Sequence, residues 1–314
     1  RMNIVFLDGA SLPSPLAQPA QATTWTEREK TTPDQVLQAL AEADVAITNK
    51  VRIDRVTLEQ LPRLKLICVA ATGYDCVDIA ACRDQGVAVC NVPAYSAISV
   101  AESVIGSLFA LRRHLTAYRD ASSRLWPQSS HFCVHGAPIQ DLQGSTLGIV
   151  GRGDIGSRVA RLAKALEINV LFAEHRGAPR VREGYTAFDT VLAKADALTL
   201  HCPLTPQTRY LIGAAEVARM KPGALLINTA RGALIDENAV LTGLANGQLG
   251  GAALDVLHVE PPQADHPLLR CDHPNLLITP HVAWASQSSV ERLKAVLAAN
   301  IEAFAANKPI NVVT

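Results

Sequence analysis

Short, almost wholly apolar runs alternate along this chain with longer stretches in which apolar residues recur every three or four positions. The runs Asn3–Leu7, Val45–Thr48, Leu66–Ala70 and Ala88–Asn91 predict four strands. Six more are predicted at Thr146–Val150, Asn169–Phe172, Ala197–Leu200, Ala224–Asn228, Gly251–Asp255 and Leu276–Thr279. Most are separated by segments of helical period, such as Gly156–Leu166. Alternation of this kind predicts an α/β fold built on parallel sheets. The strands lack polar alternation, as strands covered on both faces do.

The longest helical pattern, Val100–Arg124, and a loop rich in Pro, Gly, Ser and His over Trp126–Gly144 divide the strands into two groups. One α/β unit is therefore expected over the first ~98 residues and another over ~100–282. The last helical pattern, Ala285–Asn307, either caps its own domain or crosses back to the first.

Composition narrows the field of partners. A chain of 314 residues can hold two cores, and 48% of it is apolar. Lys plus Arg and Asp plus Glu are equal at 29 each, so no nucleic acid or anionic membrane surface is expected as partner. No apolar run approaches the roughly 18 to 20 residues of a spanning helix. The start, Arg1-Met2-Asn3-Ile4-Val5, enters a strand-like run in place of a signal peptide, and Arg1 reads as an addition ahead of the natural start. Seven cysteines without a C-x-x-C pair or zinc spacing predict reduced thiols in a cytoplasmic protein, with no metal site.

Chemistry enters after the fifth predicted strand. Thr146–Val150 runs directly into Gly151-Arg152-Gly153-Asp154-Ile155-Gly156, which opens a helical segment. This is G-x-G-x-x-G in the setting that binds a dinucleotide pyrophosphate: one glycine for the turn, one for close approach, one for helix–strand packing. About 20 residues on, Glu174 closes the next strand, where a carboxylate can accept from the ribose hydroxyls and repel a 2′-phosphate. NAD is therefore expected. His175 and Arg176 follow at once, and an arginine there can embrace a 2′-phosphate, so NADP stays open.

The last three predicted strands each lead to one polar residue. Ala224–Asn228 leads to Arg231, Gly251–Asp255 to Glu260, and Leu276–Thr279 to His281. Singly they are unremarkable strand-end side chains; together they fit reduction of a 2-keto acid. Arg offers a planar fork to a carboxylate and carbonyl, His a proton near neutral pH, and a carboxylate beside that His orients it and favours its charged form.

The segments GRGDIGSRVA from Gly151, HCPLTPQT from His201, LINTARGALID from Leu226, GAALDV from Gly251 with EPP at Glu260, and TPHVAW from Thr279 resemble, in order, the D-isomer-specific 2-hydroxyacid dehydrogenases. ATGYDCVDI from Ala71 and NVPAYSAISVAES from Asn91 extend the resemblance over nearly the whole chain. It implies two Rossmann-like domains, flavodoxin-like and dinucleotide-binding, with a cleft between them. Residues 1–98 plus 285–314 would bind substrate, and 99–284 would bind NAD. It also implies that Arg231 binds substrate, that Glu260 raises the basicity of His281, and that His281 exchanges the proton. Thr229, Ala230 and Asp255 match positions that hold the nicotinamide half, Cys202 one on the adenosine side, and Thr72 and Gly73 the loop that grips the substrate carboxylate. The helix from Val100 and the loop after it resemble the family's dimer-forming segment, which implies a homodimer. Glu174 stands where Asp is usual, and Ser103 where His often follows VAE.

Within the family, Asn49-Lys50 and His281–Trp284 look like the bacterial glycerate dehydrogenases, also called hydroxypyruvate reductases. Trp284 would narrow the pocket around C3 of the substrate, and no regulatory extension follows the terminal helix. Hydroxypyruvate or glyoxylate is the expected 2-keto acid. A D-lactate or phosphoglycerate dehydrogenase is the alternative enzyme, and a non-catalytic NAD-binding corepressor the alternative from another class.

Overall fold

A computed structural model describes residues 2–314; Arg1, and its reading as an added residue, lie outside the described residues. The chain folds into two units. The first holds the residues up to Ser96 together with Ala285–Thr314. Its strands are β1 (Met2–Phe6), β2 (Ala22–Glu27), β3 (Val45–Thr48), β4 (Leu66–Val69) and β5 (Ala88–Cys90), all parallel, in the order β2-β1-β3-β4-β5. Every residue of β3 and β4 is buried, as their unbroken apolar runs require. β2 was not among the predicted strands. Its sequence Ala-Thr-Thr-Trp-Thr-Glu has no apolar run, because an edge strand paired only with β1 leaves most of its side chains exposed.

The terminal helix Gln287–Ala305 belongs to this first unit. Ser286 caps it, its Oγ accepting from Ser289 N at 3.1 Å. Leu293, Leu297 and Ile301, one turn apart, form a buried stripe. The buried Asn300 side chain donates to the Asn91 carbonyl at 2.9 Å, and Arg292 Nε to that of Tyr95 at 3.0 Å.

The second unit is Ala97–Trp284. It contains β6 (Thr146–Val150), β7 (Asn169–Ala173), β8 (Ala197–Leu200), β9 (Ala224–Asn228), β10 (Leu249–Leu254) and β11 (Leu276–Ile278), again all parallel, in the order β11-β10-β9-β8-β6-β7. A parallel bridge between Ala173 and Thr186 extends the sheet past β7. The chain leaves β6 for β7 on one side and returns to β8 on the other. That reversal opens a crevice at the carboxyl ends of the strands, where doubly wound sheets bind ligands.

The single long helix expected over Val100–Arg124 is two, Ala97–Arg112 and Leu115–Arg124. No Gly or Pro marks the break. Asn275 Nδ2 takes the Leu111 carbonyl at 3.1 Å, and His114 turns into the left-handed region at φ 50°. A side chain 164 positions downstream of Leu111 thus meets the helix end, a signal local periodicity does not carry. Among the described residues no helix is long and apolar enough to cross a membrane, no three His, Cys, Asp or Glu are grouped to hold a metal, and the seven cysteines are unpaired.

Candidate active site

The glycine turn after β6 is shaped by three different steric demands. Gly151 lies at φ +101°, and a Cβ on it would fall 2.5 Å from the His201 carbonyl oxygen. A Cβ on Gly156 would fall 2.1 Å from the Gly151 oxygen, so the helix Asp154–Ala165 packs directly on the strand end. Gly153, the helix N-cap, has nothing within 4 Å of its Cβ direction. That opening, beside the first free N–H groups of a twelve-residue helix, fits a pyrophosphate. Beneath the turn His201 N donates to the Val150 carbonyl at 2.7 Å. Burial pushes the His201 imidazole down to about 4 and the Cys202 thiol up to about 11, so both are neutral at pH 7. His201 Nε2 lies 2.9 Å from Thr199 Oγ1. Cys202 thus sits beside the glycine turn as a half-buried neutral thiol.

Glu174 departs from its expected part. Its side chain is 2% exposed, and Oε1 accepts from His175 N (2.8 Å) and Arg182 Nη2 (2.7 Å). Oε2 accepts from Arg182 N (3.0 Å) and Arg182 Nε (2.8 Å). A carboxylate has about four acceptor positions, and all are taken, which leaves none for a ribose hydroxyl. The Arg182 guanidinium, with the two backbone N–H groups behind it, holds the Glu174 carboxyl down at about 2. Sequence reading missed Arg182 because its eight-residue separation from Glu174 belongs to no motif.

The three strand-end residues follow β9, β10 and β11, neighbours in the sheet. At the end of β9 the fully buried Asn228 ties the turn, Nδ2 donating to the Arg231 carbonyl (2.9 Å) and Oδ1 accepting from Ala230 N (3.0 Å). Arg231 Nη1 donates to the Ala230 carbonyl at 2.8 Å. Gly232 must lack a side chain, since a Cβ there would fall 2.0 Å from the Leu257 carbonyl. The Arg231 turn therefore lies against the loop that carries Glu260. Just before Arg231, Thr229 Oγ1 is buried and has no hydrogen-bond partner among the described residues. An orphaned hydroxyl of this kind fits a polar group of a bound cofactor, as the position matched to the nicotinamide half requires.

Glu260 and His281 form a direct pair, with Oε2 2.6 Å from Nδ1. The other carboxylate oxygen accepts from Leu257 N at 3.0 Å, which fixes the acid before it meets the imidazole. His281 has φ +54°, a left-handed backbone that costs a non-glycine residue of order 1–3 kcal/mol. Its N–H is held by the Asp255 carbonyl at 2.8 Å and that of Thr279 at 2.9 Å. Asp255, expected at the nicotinamide, has its buried carboxylate at this turn, where it accepts from Thr279 Oγ1 (2.6 Å), Val282 N (2.9 Å) and Ala283 N (2.9 Å). Ser99 Oγ completes the frame, donating to the Ala283 carbonyl at 2.6 Å, a contact across 184 positions that no sequence pattern announced. Trp284 Nε1 donates to the His281 carbonyl at 2.7 Å, so its ring is pinned to the imidazole's own peptide. Nothing in the structure explains the serine at Ser103.

In the first unit, Thr72 and Gly73 follow the carboxyl end of β4, and Thr72 Oγ1 donates to the Val92 carbonyl at 2.7 Å. Beyond β3, the carboxylate of Asp8 accepts from Asn49 N and Lys50 N at 2.9 and 2.8 Å. That tie gives the Asn49-Lys50 pair a folding role of its own.

A glycine turn that admits a pyrophosphate, an orphaned hydroxyl and a carboxylate-backed imidazole suit a nucleotide-dependent redox site, and comparison with known proteins agrees. The family described as "D-isomer specific 2-hydroxyacid dehydrogenase, NAD binding domain" matches residues 105–283. A Haemophilus influenzae protein provisionally named a 2-hydroxyacid dehydrogenase is 49% identical over 96% of this chain and 98% of its own. A glycerate dehydrogenase of Methylorubrum extorquens is 45% identical over 99% of this chain and 98% of its own. Among solved structures, an acyclic imino acid reductase in complex with NADPH and D-Arg superposes with TM-score 0.85 at 28% identity, covering 99% of this chain and 100% of that one. This chain belongs to the D-isomer specific 2-hydroxyacid dehydrogenase family, an oxidoreductase whose second unit is the family's NAD-binding domain.

Proposed function

We propose that the enzyme reduces a small 2-keto acid, hydroxypyruvate or glyoxylate, to the D-2-hydroxy acid with NADH, and runs the reverse reaction. The observation that carries this reading is the His281–Glu260 pair at 2.6 Å, anchored through Leu257 N. Glu260 takes the Nδ1 proton as acceptor, which leaves Nε2 of His281 to hand a proton to the developing alkoxide. Arg231 presents its fork to the substrate's carboxylate and carbonyl oxygen, polarising the carbon to be reduced. Bound dinucleotide supplies the hydride in one direction and accepts it in the other. Thr229 and Ala230 hold its nicotinamide half, while Asp255 acts as a positioning residue through the His281 turn.

Substrate size rests on Trp284. Its ring, tied to the His281 carbonyl, stands beside the proposed proton donor and limits what C3 can carry. The kinship with a protein named glycerate dehydrogenase supports the same choice. The test is NADH oxidation with hydroxypyruvate, glyoxylate, pyruvate and 2-ketoisocaproate in parallel. The first two are expected to be reduced with kcat/KM at least tenfold above the branched acid. Equal or better reduction of 2-ketoisocaproate would sink the small-acid assignment, and reduction of none would sink the enzyme reading.

The same reading includes a cytoplasmic homodimer. Supporting it, Phe132 is 91% and Trp126 54% exposed in the loop after Arg124. Native mass measurement is expected to give twice the chain mass, and a monomer at micromolar concentration would refute it.

A further inference from the structure

The carboxylate that should reject a 2′-phosphate is cancelled in this chain. Glu174 is saturated by Arg182 and by two backbone N–H groups, so neither its charge nor its acceptors are presented to an adenosine ribose. What remains at the end of β7 is a pair of guanidinium groups held against aromatic rings. The Arg182 guanidinium lies 4.1 Å from the Tyr185 ring centroid and is about half exposed. Arg152, the second residue of the glycine turn, lies over the same ring at 5.5 Å and over Phe172 at 4.7 Å. Its guanidinium donates to the Gly184 carbonyl at 3.5 Å, and it makes no ion pair among the described residues. Stacking fixes both planar groups while leaving N–H edges for an oxyanion, the arrangement in which arginine binds phosphate best.

We propose that the adenosine subsite of this enzyme takes a 2′-phosphate, with Arg182 and Arg152 as its ligands, so that NADP(H) serves beside NAD(H). Arg176 is a less suitable ligand, since Glu216 Oε1 lies 3.4 Å from its Nη1. The proposal rests on the reading that Gly151–Gly156 and the end of β7 hold the adenosine half. Arg182 is then a specificity residue of an unusual kind: it acts first by covering the acid beneath it and second by facing the ligand.

The test is binding of 2′,5′-ADP and of ADP to the cofactor-free protein, measured by calorimetry and followed by kcat/KM for NADPH and NADH with one keto acid. Wild type is expected to bind 2′,5′-ADP at least as tightly as ADP and to use the two reduced dinucleotides within tenfold of each other. Arg182→Leu uncovers Glu174 and is expected to weaken 2′,5′-ADP at least tenfold while sparing ADP. Because that variant also leaves a buried carboxylate without its partner, exposed Arg152→Gln serves as a second probe, with an expected three- to tenfold loss for 2′,5′-ADP alone. ADP binding ten times tighter than 2′,5′-ADP in wild type would overturn the proposal and leave the adenosine site standing. Binding of neither nucleotide would overturn both. Unchanged 2′,5′-ADP affinity in both variants would remove these arginines as ligands and the proposal with them.

Discussion

Replacing His281 with Ala is expected to lower kcat by about 10³-fold, within the 10² to 10⁴ that a positioned acid–base group contributes, and to leave NADH affinity within a factor of two. The expectation follows from the pair at 2.6 Å. Glu260 occupies Nδ1, and its own second oxygen is fixed on Leu257 N. The backbone complicates the reading, because φ +54° strains alanine as it strains histidine. Asn tolerates the left-handed region better, so His281→Asn separates strain from chemistry. Both variants are expected to lose turnover alike if the proton is the cause. NADH fluorescence titration beside steady-state kinetics checks the split, and a kcat within fivefold of wild type in either variant would remove His281 as the proton donor.

The parallel sheets were legible because buried strands must be apolar throughout, and β3, β4, β8 and β9 read as little else. β2 was not, since its pairing is made by backbone groups that need no apolar side chain. The break before Leu115 was hidden for a similar reason: its cause is the amide of Asn275, distant in sequence. At the candidate site, the glycine turn and the order of Arg231, Glu260 and His281 could be read from spacing. The surroundings of Glu174 and Asp255 could not. Glu174 was matched to a cofactor position by residue type and strand end and Asp255 by the family resemblance, and in the structure both carboxylates accept from protein donors. Sequence reports that an acid stands at a strand end; whether its lone pairs are still available depends on donors that arrive from loops of variable length.

Arg231→Lys is expected to reduce kcat/KM for the keto acid by about 10²-fold, with NADH affinity unchanged. Charge is conserved in this variant, so the loss measures geometry. The guanidinium is a rigid plane carrying five N–H donors, and one of them, on Nη1, is already committed to the Ala230 carbonyl at 2.8 Å. That bond orients the plane from which two parallel hydrogen bonds to substrate are expected. Lysine offers a hydrated point charge on a flexible stem, and it cannot satisfy Ala230 and still hold two oxygens in register. Hydrogen bonds to charged groups contribute about 1.5–3 kcal/mol each, so loss of one of two accounts for roughly the expected factor. The turn itself should survive, because Asn228 holds the Arg231 carbonyl and Gly232 makes room for Leu257 whichever cation stands there. The division between constants carries the diagnosis. If Arg231 only binds the carboxylate, KM rises and kcat holds; if it also polarises the carbonyl in the transition state, kcat falls as well, and both changes are expected. A Lys variant with wild-type kcat/KM would show that the fork has no part in substrate recognition.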